Sequence, residues 1–169
     1  MDITDLILKD HQEQRHIFSV LEQINKSETE QLSKIWKRAR ALLEVHAKAE
    51  EQFFYPTLLR KGRGEGGMPD AKSETIDAIH DHNEIRDAIA QTLIHAIGSQ
   101  GWFEAISQVN KVNSDHMGEE ERQGLTDFRQ TVGLTKRHEL AIQFVVFEAE
   151  FINGIVPNDI DPETYVEKQ

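Results

Sequence analysis

The sequence has no cysteine at all. That excludes disulfides, a thiol nucleophile, and zinc or iron–sulfur sites held by thiolates. Proline is scarce, at four in 169 residues, and three of them (Pro69, Pro157, Pro162) fall where loops or the tail are expected. No apolar run approaches the roughly 18–20 residues of a membrane span. The opening MDITDLILKDHQEQ carries acids at once, with no basic segment before a long apolar stretch, so no signal peptide is read there. Positive charge is in deficit: Lys plus Arg is 19 against 30 Asp plus Glu, a net charge of −11. Nucleic acid and anionic membrane surfaces are therefore poor partners. A soluble cytoplasmic protein of one domain is the expectation.

What is present is helix periodicity throughout. A first helix is expected over about 3–25, with Ile7, Phe18 and Leu21 on one stripe. Ser27-x-x-Glu30 reads as a capping box opening a second helix that runs to about Leu59, with Ile35, Leu42 and Phe53 inward and a kink near Pro56. KGRGEGGMPD, 61–70, reads as the linker. A third helix is expected over about 72–97 (Ile79, Ile89, Leu93), then a break at GSQG, 98–101, and a fourth helix from Trp102 to about Gln130. Gly133 ends it. Thr135 is read as the cap of a fifth helix to about Asn153, with Ile142, Val145, Val146 and Phe147 apolar, and residues 155–169 as a loosely docked tail. Short links between long amphipathic helices predict an all-α fold, an up-down-up-down four-helix bundle with an additional C-terminal helix. Oligomeric state is not legible from the residues.

Eight histidines are many for this length, and their placement is informative. DHQEQR at 10–15 matches DHNEIR at 81–86 at four of six positions, and HAKAEE at 46–51 matches HMGEEE at 116–121 in His, Glu and Glu. The chain thus repeats one unit, a helix with a single His followed by a helix with His-x-x-x-Glu, over about 3–60 and 72–130. His11, His46, His82, His116, Glu50 and Glu120 fall on apolar stripes, where an unpaired charge is costly. His80, His16 and His95 rotate toward water, and His138 has no repeat counterpart. GEEE at 118–121 reads as a solvated face, except Glu120. Four imidazoles and two carboxylates facing one another are best balanced by bound cations. They are too many for one tetrahedral zinc, and calcium or magnesium prefers oxygen alone. Two metals sharing bridging carboxylates use all six; iron suits such a set, with manganese or zinc as substitutes. Ferritin-like sites use Glu-x-x-His instead.

These motifs resemble the haemerythrin-like, or HHE cation-binding, domain: DH at 10–11, HAKAEEQFFYP at 46–56, DH at 81–82 and HMGEE at 116–120. The resemblance covers about residues 3–130, within a domain taken as 1–154. It implies a four-helix bundle with a non-haem di-iron centre, His11 and His46 on one iron, His82 and His116 on the other, Glu50 and Glu120 bridging, and an oxo, hydroxo or water ligand. It also implies a small-molecule ligand such as dioxygen, nitric oxide or peroxide, in a binding, sensing or stress-response role. A catalase- or peroxidase-like enzyme, or iron storage, delivery or repair, stands as the alternative. One departure matters: oxygen carriers of the family have a fifth histidine one turn from the position of His82, where this chain has Ala78 and Arg86. Tyr55, five residues past Glu50, is either packing or a phenol near the metals; the second repeat has Leu125 there.

Overall fold

The computed structural model describes residues 1–64 and 70–169, so Pro69 and half of the glycine-rich linker lie outside the described residues. The elements are α1 (Ile3–Gln23), α2 (Thr29–Ala49), a π-helical turn (Glu50–Phe54), α3 (Tyr55–Lys61), α4 (Ala71–Thr92), α5 (Gln100–Arg122), α6 (Gly124–Thr131), α7 (Leu134–Glu150) and α8 (Pro162–Glu167). All regular structure among the described residues is helical. α1 packs on α2, α4 on α5, and α7 covers α1 and α2. No helix among the described residues is long and apolar enough to cross a membrane.

Helix ends follow side-chain caps where the sequence supplies them. Asp2, Asp70 and Ser99 accept the backbone N–H of Thr4, Ser73 and Trp102 and so open α1, α4 and α5. The expected capping box at Ser27 does not form. Ser27 is drawn instead into a turn on Asn25, donating its N–H and hydroxyl to Asn25 Oδ1 (3.0 and 2.9 Å), and α2 starts from Glu28 with no side-chain cap. α7 likewise starts from Gly133 without a side-chain cap, and Thr135 sits inside its first turn.

Two helices expected to be continuous are interrupted. After Ala49 the backbone takes the wider π register, and the Tyr55 N–H bonds to the Glu50 carbonyl, five residues back. Pro56 explains the need: in an unbroken α-helix its ring would meet the carbonyl four residues earlier, and it has no N–H to give. It sits instead in the first turn of α3, where neither matters. The fourth helix breaks at Gln123, between α5 and α6. A Cβ on Gly124 would lie 3.2 Å from Glu74 Oε1 and 3.5 Å from Glu120 Cγ, so the absence of a side chain lets the chain pass close to Glu120.

Buried apolar side chains form two separate clusters. One holds Ile3, Ile7, Phe54, Leu58, Ile79, Leu125, Phe128 and Phe144. The other holds Ile17, Phe18, Leu32, Trp36, Ile85, Ile89, Trp102 and Val109. α1 and α4 run from the first cluster to the second, and α2 and α5 run back. Between the clusters these helices and the π turn that follows α2 contribute buried polar residues: His11 and Gln14, His46 and Glu50, His82, and Asn113, His116 and Glu120. The molecule therefore has a polar waist between two hydrophobic halves.

The inward stripe of α2 is rotated from the expected one. Leu32, Trp36, Ala39 and Leu43 are buried and lead to His46, whereas Ile35, Leu42 and Phe53 are only partly covered. α4 stops at Thr92, leaving Leu93 exposed beyond it. On α7 the buried residues are Leu140, Ala141 and Phe144, while Ile142, Val145 and Val146 face outward. The C-terminal segment is docked rather than loose. Asn83 and the backbone of Ile160 exchange hydrogen bonds, Ile160 and Val166 pack on the first cluster, and the buried Tyr165 donates its hydroxyl to the Glu51 carbonyl.

Candidate metal centre

Each of the six residues singled out by the repeat is at most 6% exposed, and the fold brings all of them to the waist. Ligand atoms of His11, His46, Glu50 and Glu120 lie within 4.8 Å of one another, and those of Glu50, His82 and His116 form a second such group. Glu50 belongs to both. Its Oε1 is 3.0 Å from His46 Nε2 and its Oε2 is 3.3 Å from His82 Nε2. Glu120 is placed differently. Its Oε2 is 3.2 Å from His11 Nε2, but its Oε1 accepts the Tyr55 hydroxyl at 2.6 Å. Tyr55 reaches Glu120 because the π turn sets it one wide turn beyond Glu50. His80, His16, His95 and His138 stay exposed.

The outer nitrogen of every waist histidine is held by a carboxylate. His46 Nδ1–H donates to Asp10 (3.1 Å) and His116 Nδ1–H to Asp81 (3.3 Å). His82 Nδ1–H donates to Glu51 (3.1 Å) and His11 Nδ1–H to Glu121 (3.0 Å). The Asp of each Asp-His pair thus holds the histidine of its own repeat's His-x-x-x-Glu-Glu. The last Glu of each unit holds the single histidine of the other repeat. Such a carboxylate fixes the tautomer and aims Nε2 inward as a lone pair. Glu121, expected on a solvated face, is half-buried and is also held by Arg15 at 2.7 Å. The signal for these four carboxylates was present, since they are the other matched letters of the repeat.

Electrostatics in the waist favour positive charge. Burial alone would push the His46 and His82 imidazoles down, but Glu50 beside both, Asp10 on His46 and Glu51 on His82 override it. His46 lies well above the usual range and His82 is raised to about 9. Burial would raise Glu50, yet His46 and His82 hold it well below the ordinary carboxylate range. Glu51, with burial opposed by His82, Arg86 and Lys48, is lowered to about 2. Burial and the Glu120 and Glu50 carboxylates push the Tyr55 phenol well up, so it stays protonated as a donor.

The donor set fits a pair of metal ions. His11 Nε2, His46 Nε2, both oxygens of Glu50 and Glu120 Oε2 are buried with no hydrogen-bond partner among the described residues beyond the close approaches given above. His82 Nε2 and His116 Nε2 face each other at 3.2 Å. With both outer nitrogens donating, two lone pairs would meet there unless a proton or a metal lies between them. At one of the two positions a turn from His82, Arg86 turns to Glu44 (3.0 Å) and Glu51 (2.8 Å) in a buried ion-pair group.

No protein of curated function matches the chain. The crystal structure of a hemerythrin HHE cation binding domain-containing protein, an Rv2633c homolog from Mycobacterium kansasii, shares the fold. Its TM-score is 0.75 at 14% identity, over 90% of this chain and 88% of that one. The Hemerythrin HHE cation binding domain family matches residues 2–127, most of the chain, which therefore belongs to the hemerythrin HHE family.

Proposed function

We propose that the waist holds two iron ions, with manganese or zinc as substitutes, and that the protein binds or reacts with dioxygen, nitric oxide or peroxide. The scaffold is an up-down-up-down four-helix bundle, with α7 as the additional C-terminal helix. His11 and His46 would hold one ion and His82 and His116 the other, with Glu50 shared between the two histidine groups. Glu120 would join the first group through Oε2, while its other oxygen stays with Tyr55. The observation that carries this reading is the split of Glu50 between the two histidine groups, at 3.0 and 3.3 Å, with both oxygens otherwise unmatched. A buried carboxylate so placed is costly unless a cation balances it.

Iron bound there would supply a redox-active Lewis acid for a small ligand. The chain's own residues hold the imidazoles by their outer nitrogens, enclose the site between two apolar clusters and present one buried O–H. The second reading is an enzyme acting on peroxide, in which Tyr55, held protonated by burial and the neighbouring carboxylates, would serve as a fixed hydrogen-bond donor at the centre rather than as an acid. Metal analysis of purified protein, with a spectrum taken before and after admitting air, tests the site. About two irons per chain and a band that appears on oxidation are expected. A cooperatively folded protein that takes up no iron would overturn the proposal. Rapid oxygen evolution from added hydrogen peroxide selects the enzyme, and a stable, reversible spectral change on oxygenation selects the binder.

A further inference from the structure

A small cavity between α4 and α5 reaches the candidate metal centre. Tyr55, His116 and Glu120 line it, and each is at most 6% exposed. Glu74 and Asp81 line it too, the first buried and the second half-buried. Asp77 and Glu119 complete the acidic wall and are exposed. The carboxylates therefore grade from solvent to the centre, and no Lys or Arg among the described residues lines the cavity. Its free volume is about 20 Å³, room for a water-sized group or a single ion. A second small cavity beside His46, His82 and His116 has Leu43, Ile85 and Ile89 with the paired Arg86 and Glu44 on its walls, so it carries no such bias.

The two-fold repeat supplies an internal comparison. With His11 aligned on His82 and His46 on His116, the first-repeat counterparts of Glu74, Asp77, Glu119, Gln123 and Gly124 are Ile3, Leu6, Ala49, Phe53 and Phe54. All five are apolar. Ile3, Ala49 and Phe54 are fully buried, and Leu6 and Phe53 pack against the first cluster. The same place in the first repeat is thus plugged, so the bundle itself does not require acids or a glycine there. In the second repeat Gly124 leaves the space unfilled, since a Cβ on it would press to 3.2 Å from Glu74 Oε1.

A cleft lined by one sign of charge concentrates the opposite ion and can raise its rate of arrival about 10–1000-fold. Carboxylate oxygens also replace the water around a divalent cation as it sheds its hydration shell. We propose that this acidic cavity is the port by which divalent cations enter the centre, with Asp77 and Glu119 at its mouth and His116 and Glu120 at its inner end. The inference rests on the di-iron reading above.

The test uses full-length, metal-free protein. Ferrous ion is added anaerobically, and bound iron is measured at timed intervals after a chelator quench. The paired variant Asp77→Asn with Glu119→Gln keeps side-chain size and removes two charges from the mouth. Its iron uptake should be about tenfold slower or more. Its final iron content and its affinity in chelator competition should match those of the unaltered protein. Added salt should slow the unaltered protein more than this variant. A second pair, Glu22→Gln with Asp87→Asn, removes the same charge from exposed residues that do not line the cavity and should keep the original rate. Uptake by the mouth variant within about twofold of the original overturns the inference. Equal slowing in both pairs does so too, since net charge alone would then act. So does an affinity that falls in step with the rate, which would make the mouth carboxylates part of the binding site. Should the metal-free protein not fold, release of iron from loaded protein to a chelator decides, because at unchanged affinity release must slow by the same factor as uptake. Unaltered protein that takes up no iron overturns the di-iron reading itself, and this inference with it.

Discussion

Tyr55 donates its hydroxyl to Glu120 at 2.6 Å, and nothing in the second repeat does the same for Glu50. Leu125, at the corresponding place, lies in the first apolar cluster. The two carboxylates that the repeat makes equivalent are therefore unequal, one with both oxygens turned to histidines and one shared with a phenol. On the proposed two-metal reading, Glu50→Ala should cost both metal ions, while Glu120→Ala should cost mainly the ion that His11 and His46 would hold. Metal stoichiometry of the two variants, with helicity from circular dichroism as the folding control, checks this. Equal losses would mean that Glu120 also spans the centre.

Tyr55→Phe removes the donor and keeps the ring that stacks edge-on with Phe54 and His82. A lost hydrogen bond to a buried carboxylate should lower stability by about 1–3 kcal/mol. Iron content should persist. If the phenol's hydrogen bond serves peroxide chemistry, oxygen evolution should fall about a hundredfold or more. An unchanged rate would assign Tyr55 to packing.

Asp10, Asp81, Glu51 and Glu121 aim the four imidazoles. Loss of such a partner typically costs about 10–100-fold in metal affinity. Asp81→Ala and Glu121→Ala should each show that loss in a chelator competition. Glu119→Ala, exposed and adjacent in sequence to Glu120, is the matched control and should show none. Equal affinities across the three would remove the aiming role.

Much of this waist was legible because two-fold repetition picks out the inward residues letter by letter. The six inward residues stood out by face and offset. The four outer carboxylates were equally repeated, but Glu121 in a run of acids looked like a solvated surface, and only its contact with His11 distinguishes it. Helix boundaries were less legible. Pro56 announced a disturbance but not its form, and the π turn that brings Tyr55 over the site depends on how the helix absorbs the proline. The α2 stripe was displaced because Ile35 and Leu42 are as apolar as Leu32 and Leu43, so hydrophobicity alone does not choose between neighbouring faces. The C-terminal segment looked polar because its anchors are few. Tyr165, Ile160 and Asn83 act through backbone hydrogen bonds that no periodicity encodes.

Those anchors make the tail testable. Tyr165 donates to the carbonyl of Glu51, the residue whose carboxylate holds His82. Tyr165→Phe should speed amide hydrogen exchange in residues 50–54 more than elsewhere, since it unties the π turn. Uniform exchange across the chain would mean that α8 adds only general stability.

Arg86 gives the sharpest energetic prediction. Arg86 is 6% exposed, its guanidinium reaches Glu44 (3.0 Å) and Glu51 (2.8 Å), and Glu51 also holds His82. Removing the cation leaves two carboxylates buried together. Burial already raises Glu44 even with Arg86 beside it. Breaking a buried ion pair from one side typically costs about 3–5 kcal/mol, far more than the pair contributes over an apolar replacement. Arg86→Leu should therefore be severely destabilising in urea denaturation. The double variant Arg86→Leu with Glu44→Leu should recover part of the loss, because one uncompensated carboxylate goes with it. Glu51 remains in the double variant and keeps Lys48 at 2.7 Å, so the aim of His82 is retained. A double variant that loses as much as Arg86→Leu alone, or more, would show that Arg86 acts through packing rather than through charge.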